Sequence, residues 1–147
     1  MALLIPILLV FFAGAMVAAQ APTNSMLAKA GGSPILAALI SFCVGTVALL
    51  LVWLATPNRP GVSAFAGLPW YAWIGGFYGA VFVAVAAYAA PRIGVASLIT
   101  IGIAGQIAMA LMLDHFGALG LEREPINFGR VAGAVLVIAG VVLVRRS

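Results

Sequence analysis

Long apolar stretches dominate the chain, and proline and glycine divide them. The first runs from near Ala2 to Ala21, where Pro22 interrupts it; Ser25 to Ala30 then reads as helix before Gly31 and Gly32 stop it. This predicts one overlong span over about 2–30 with a kink near 22. Ser33 and Pro34 supply an N-cap followed by proline at the first helical position, which opens a second span over 34–55. The segment 56–69 holds Pro57, Asn58, Pro60 and Gly61 and reads as a surface loop. A third span is predicted over 70–90, a tight turn at Pro91 and Arg92, a fourth span over about 92–113, a loop from Asp114 to Asn127, and a fifth span over 127–144.

Each predicted span meets the length a helix needs to cross about 30 Å of hydrocarbon. Between Met1 and Leu113 the chain has no acidic residue and only three basic ones, Lys29, Arg59 and Arg92; all three acids, Asp114, Glu122 and Glu124, fall in the second loop. The expected fold class is an all-α membrane protein, a single domain over 1–147 with five transmembrane helices per chain.

Composition agrees. The chain is 65% hydrophobic and 7% charged with a mean hydropathy of +1.25, against about 25% charged in soluble domains. The net charge of +4 comes from basic residues scattered singly between spans, so they read as topology signals and argue against a nucleic-acid partner. Cys43 lies in an apolar stretch and reads as a small filler; a single cysteine forms no internal disulfide. Ala19-Gln20-Ala21 resembles a signal cleavage site, but no basic segment precedes the apolar core, and the first segment is expected to be retained. Trp53, Trp70, Tyr71 and Trp73 sit near predicted span ends, where amphipathic rings anchor at the headgroup layer.

Five spans put the termini on opposite sides. Arg59, Arg123 and Arg130 then fall on the amino-terminal side, and Lys29, Arg92, Arg145 and Arg146 on the other. Orientation is set chiefly by Lys and Arg near span ends, so a difference of one charge gives little preference and insertion in both senses is expected. Two oppositely inserted copies generate the inverted-repeat geometry of many transporters, with a midplane site between them. The expected partners are the lipid bilayer, a second antiparallel copy and a small-molecule substrate.

The runs Gln20-Ala-Pro-Thr-Asn24, Gly32 to Thr46, Trp73-Ile-Gly-Gly76, Gly105-Gln106 and Asp114-His-Phe-Gly117 resemble the YdcZ-like five-helix family of the drug/metabolite transporter superfamily. The resemblance covers nearly the whole chain. It implies a half-transporter of the bacterial inner membrane, working as a dual-topology homodimer of ten helices or as an oppositely oriented pair. The segment from Gly133 to Gly140 also resembles the last helix of small multidrug transporters, where a seven-residue glycine spacing packs the dimer; Gly129, Gly133 and Gly140 are the packing candidates. Those transporters carry a glutamate in their first helix. Here the first segment has no carboxylate, so their proton-coupled mechanism does not carry over.

Polar side chains are costly in hydrocarbon and mark candidate sites. Gln20 and Asn24 share one helical face, with Pro22 between them freeing the carbonyl of Ala18. With Tyr78 and Gln106 they form the candidate substrate site. Asp114 and His115, at the end of the fourth span, are the candidates for proton coupling, against a plain solvated helix end. No catalytic constellation, cofactor motif or metal-ligand spacing occurs, so an enzyme is not expected. The expected function is alternating-access transport, most simply export of a small metabolite or drug-like compound. A dual-topology ion channel and a non-transporting membrane partner are the alternatives.

Overall fold

Uninterrupted apolar sequence without charged side chains becomes helix along most of its length. The computed structural model describes residues 4–57 and 60–146, with the side chains of Val62, Arg145 and Arg146 outside that description. Of the charges weighed for topology, Arg59 therefore lies outside the described residues, as do the side chains of Arg145 and Arg146. The five α-helices are α1 (Leu4–Gly31), α2 (Pro34–Ala55), α3 (Gly75–Ile93), α4 (Val95–Phe116) and α5 (Phe128–Arg146), and no strand occurs among the described residues. By length and composition α1 to α4 are long and apolar enough to cross a membrane; α5 contributes a shorter apolar stretch, Phe128–Val144. The chain forms two compact units, Met1–Arg92 and Ile93–Ser147.

The packing is the reverse of a soluble core. Most of the buried apolar residues are alanines, among them Ala21, Ala37, Ala86, Ala87 and Ala90, while Leu9, Phe12, Leu49 and Leu136 are exposed. Hydrocarbon solvates a leucine as well as a protein interior does, so helix contacts select small residues that let backbones approach and leave the large ones to lipid. In the first unit, the ring of Phe42 on α2 fills the space beside Gly79 on α3, where an added Cβ would meet it at 3.2 Å.

The α1–α2 connection is set by three residues. Gly32 adopts φ +69°, a conformation that costs other residues. Ser33 then caps α2, its hydroxyl accepting the Leu36 N–H at 3.2 Å, and Pro34 occupies the first turn, where its missing donor leaves nothing unsatisfied. The helical assignment of α1 is continuous across Pro22. Nearby hydroxyls bond back to the helix: Thr23 Oγ1 donates to the Gln20 carbonyl at 2.9 Å, and Ser25 Oγ to the Ala21 carbonyl at 2.9 Å.

Two features of the third segment differ from the sequence expectation. Trp70–Trp73 forms a separate 3-10 turn and α3 starts at Gly75; the break sits at Ile74, with φ −90° and ψ 2°. At the other end, Pro91 does not form the predicted tight turn. It lies inside α3, and the chain breaks at Gly94, with φ +79°. The reason is chemical. Pro91 lacks the N–H that would meet the carbonyl of Ala87 four residues earlier, and the Ser25 hydroxyl of α1 lies 3.1 Å from that carbonyl, its single hydrogen shared between it and the Ala21 carbonyl. A proline in one helix is thus accommodated by a buried serine from another.

In the second unit α4 packs against α5. α4 ends at Gly117, in the left-handed conformation with φ 59°, and α5 opens with the Asn127 side chain accepting the Arg130 N–H at 3.0 Å.

The Ser25 bond gives a stability test. Ser25→Ala should destabilise the folded chain by about 0.6–1.7 kcal/mol, the usual range for an interhelical hydrogen bond in a membrane. In a Pro91→Ala background the loss should shrink, because an alanine N–H can take over the Ala87 carbonyl. Thermal unfolding in detergent measures both, and equal losses in the two backgrounds would contradict the pairing of Ser25 with Pro91.

Candidate functional site

Two of the sequence candidates lie on successive turns of α1. Gln20 is half-buried, its Nε2 donating to Ser41 Oγ of α2 at a long 3.5 Å, and with Met16, Val17, Ala19 and Thr23 it lines an open cleft of about 410 Å³. Asn24 is only 3% exposed. No hydrogen bond to another described residue engages its side chain, and neither of its polar atoms is fully enclosed. An amide carries two donors and an acceptor oxygen, and leaving these unpaired away from water costs about 1–3 kcal/mol. Asn24 thus places an amide within an otherwise apolar stretch of α1.

The other two candidates are exposed. Tyr78 stands in the first turns of α3, with its ring edge-on to Phe77 and 61% of the residue accessible. Gln106 lies in the middle of α4, in the second unit, and makes no side-chain hydrogen bond among the described residues. Gly133 and Gly140 of α5 have nothing within 4 Å of the position a Cβ would take, and Gly129 meets only Asn127 Oδ1, at 3.4 Å.

Asp114 and His115 are built into a clamp that closes the α4–α5 loop. The Asp114 carboxylate pairs with Arg130 at 3.2 Å, and the same guanidinium bonds the Glu124 carboxylate. The Asp114 carbonyl accepts the Glu124 N–H at 2.8 Å. His115 Nδ1 accepts the Ile126 N–H at 3.2 Å, which requires that nitrogen to be unprotonated, and the His115 carbonyl accepts from Arg123 Nε at 3.1 Å. The loop thus lies against the C-terminal end of α4, held by both residues that the sequence marked for proton exchange. Arg130 and Glu124 were not candidates in the sequence. Arg130 stood out only as a topology charge, and its place one turn into α5 was the signal that it could reach back across a loop.

Apolar helices with large residues facing outward define a multi-pass integral membrane protein. Residues 5–143 match the family described as "Putative inner membrane exporter, YdcZ", and the chain belongs to that family. It is 30% identical over 117 residues to the inner membrane protein YdcZ of Escherichia coli (strain K12), covering 76% of this chain and 75% of that protein. No solved structure matches the chain. Membership makes it an inner-membrane, multi-pass protein of a family described by transport rather than catalysis.

The clamp has a local readout. Arg130→Gln should speed hydrogen exchange at the Glu124 and Ile126 amides roughly fivefold, the equivalent of about 1 kcal/mol for exposed ion pairs. The centre of α4 should be unaffected. Unchanged exchange at those two amides would mean that the ion pairs do not hold the loop.

Proposed function

We propose that the chain is one half of an exporter for a small neutral or zwitterionic molecule. Two copies with five spans each insert in opposite senses, form a ten-helix antiparallel homodimer, and alternate access around a midplane cavity lined by Gln20, Asn24, Tyr78 and Gln106. The observation that carries this reading is the pair of amides without a hydrogen-bond partner among the described residues, Asn24 on α1 and Gln106 on α4, in helices long and apolar enough to cross a membrane. Such groups are stable in a bilayer only against a water-filled cavity, a ligand or another protein surface. Oppositely inserted copies supply both a covering surface and a shared cavity.

Three further features support it. Family membership favours export. The open faces at Gly133 and Gly140 suit close helix approach by a second copy, and three basic residues against four leave orientation nearly unbiased. The substrate class follows from charge: with no carboxylate before Asp114, nothing in α1 to α3 attracts a cation. In this reading the Asp114–Arg130 pair holds the loop, and Asp114 is also the position at which proton coupling would be sought.

The test begins with a thermal-shift screen of metabolites on the purified chain, since a ligand that binds the folded state raises its apparent stability. For the compound found, Asn24→Ala and Gln106→Ala should each weaken half-saturation of flux into proteoliposomes about tenfold, as expected for loss of a hydrogen bond worth roughly 1.4 kcal/mol, while Ser97→Ala changes it little. Saturable flux indifferent to both amides would refute the site. Fast, unsaturable, ion-selective flux would indicate a channel instead, and no flux a non-transporting partner.

A further inference from the structure

At one end of the first unit a cleft of about 340 Å³ collects two positive charges and no negative one. Lys29, in the last turn of α1, and Arg92, in the last turn of α3, both line it, together with Ser25, Gly32 and Tyr88. Residues 1–92 contain no aspartate or glutamate, so the unit has no carboxylate to neutralise them. Among the described residues the ion pairs belong to Arg130, and neither Lys29 nor Arg92 takes part in one. Arg92 is nevertheless held in place. Its guanidinium stacks over the Tyr88 ring, 3.7 Å from the centroid, and one N–H donates to the Tyr88 carbonyl. That leaves most of its five donors uncommitted.

Helix dipoles do not cancel this charge. The ends of α1 and α3 each contribute about half a negative charge and the start of α2 about half a positive one, which leaves a net positive charge of about 1.5. An excess of that size in a cleft between the ends of apolar helices calls for an anion.

The surroundings narrow the anion further. Gly32, Pro34 and Tyr88 also border a second cleft of about 360 Å³, which continues past Ile35, Ala84 and Val85 along α2 and α3. A cationic pocket that opens into an apolar groove fits a molecule with a phosphate head and a hydrocarbon tail. We propose that this site binds an anionic phospholipid, its phosphate between Lys29 and Arg92 and an acyl chain along Ile35 and Val85. A basic pocket between helices is a recurrent way to hold such headgroups. The site is separate from the proposed substrate cavity, and its occupancy does not depend on whether the protein transports anything.

The test uses the purified full chain in detergent, with binding followed by native mass spectrometry and by thermal shift. The probes are palmitoyl-oleoyl phosphatidylglycerol, phosphatidylcholine with the same chains, and inorganic phosphate alone. Each basic residue near an anionic headgroup contributes roughly a factor of five, so the wild type should prefer the glycerol lipid over the choline lipid by about thirtyfold. The preference should shrink as salt is raised, vanish in Lys29→Gln with Arg92→Gln, and survive in Lys29→Arg with Arg92→Lys. The salt titration needs only the wild type, so it decides even where the neutral variant fails to fold. Equal binding of both lipids, a preference indifferent to salt, or a preference retained by the neutral variant would overturn the proposal. So would inorganic phosphate stabilising the chain as strongly as the lipid, which would make the site one for a soluble anion.

Discussion

A polar group in hydrocarbon must find a partner, and much of this chain follows from that rule. Backbone groups meet it by forming helices, which is why nearly all the apolar sequence is helical. Where the helix itself fails, another element steps in. Pro91 removes a donor from α3, and the Ala87 carbonyl it leaves behind is met by Ser25 of α1. The same rule gives meaning to the amides of Asn24 and Gln106, which have no hydrogen-bond partner among the described residues, and to the charges of Lys29 and Arg92, which meet no carboxylate there. In the readings proposed above, something outside this single chain completes each of them: substrate and second copy for the amides, lipid headgroup for the cations.

Packing follows the complementary rule. Because lipid offers large apolar residues as good an environment as a protein core, burial falls to alanine and close approach to glycine, as where Phe42 meets Gly79. Gly133 and Gly140 of α5 show the same device with no described neighbour to receive it. In the proposed dimer, the exposed small residues of α5 and the exposed amide on α4 would both be covered by the second copy.

The helical class and the helix positions were legible because period and punctuation act locally. Ser33 and Pro34 start α2 as their chemistry dictates, and Gly32 supplies the turn before them. Pro91 was read as a turn because a proline ordinarily ends a helix; its rescue depends on Ser25, far away in sequence, and no local rule carries that information. Trp70 to Trp73 read as the start of a span for the same local reason, although the chain there forms a tighter 3-10 turn before Gly75. The candidate site was legible as residue types only. That Gln20 reaches Ser41, that Asn24 is covered yet unbonded, and that Asp114 and His115 fasten a loop through Arg130 and Ile126 are facts of tertiary contact. The Lys29 and Arg92 cleft was invisible in the sequence, where those residues read as isolated topology charges.

The central claim is that this polypeptide enters the membrane both ways up and works with an inverted copy of itself. Carboxyl-terminal fusions to two reporters, one active only inside the cell and one only outside, measure this most directly in native membranes. The account predicts comparable signal from both reporters on the same chain. Signal from one reporter alone, with every copy pointing the same way, would contradict it.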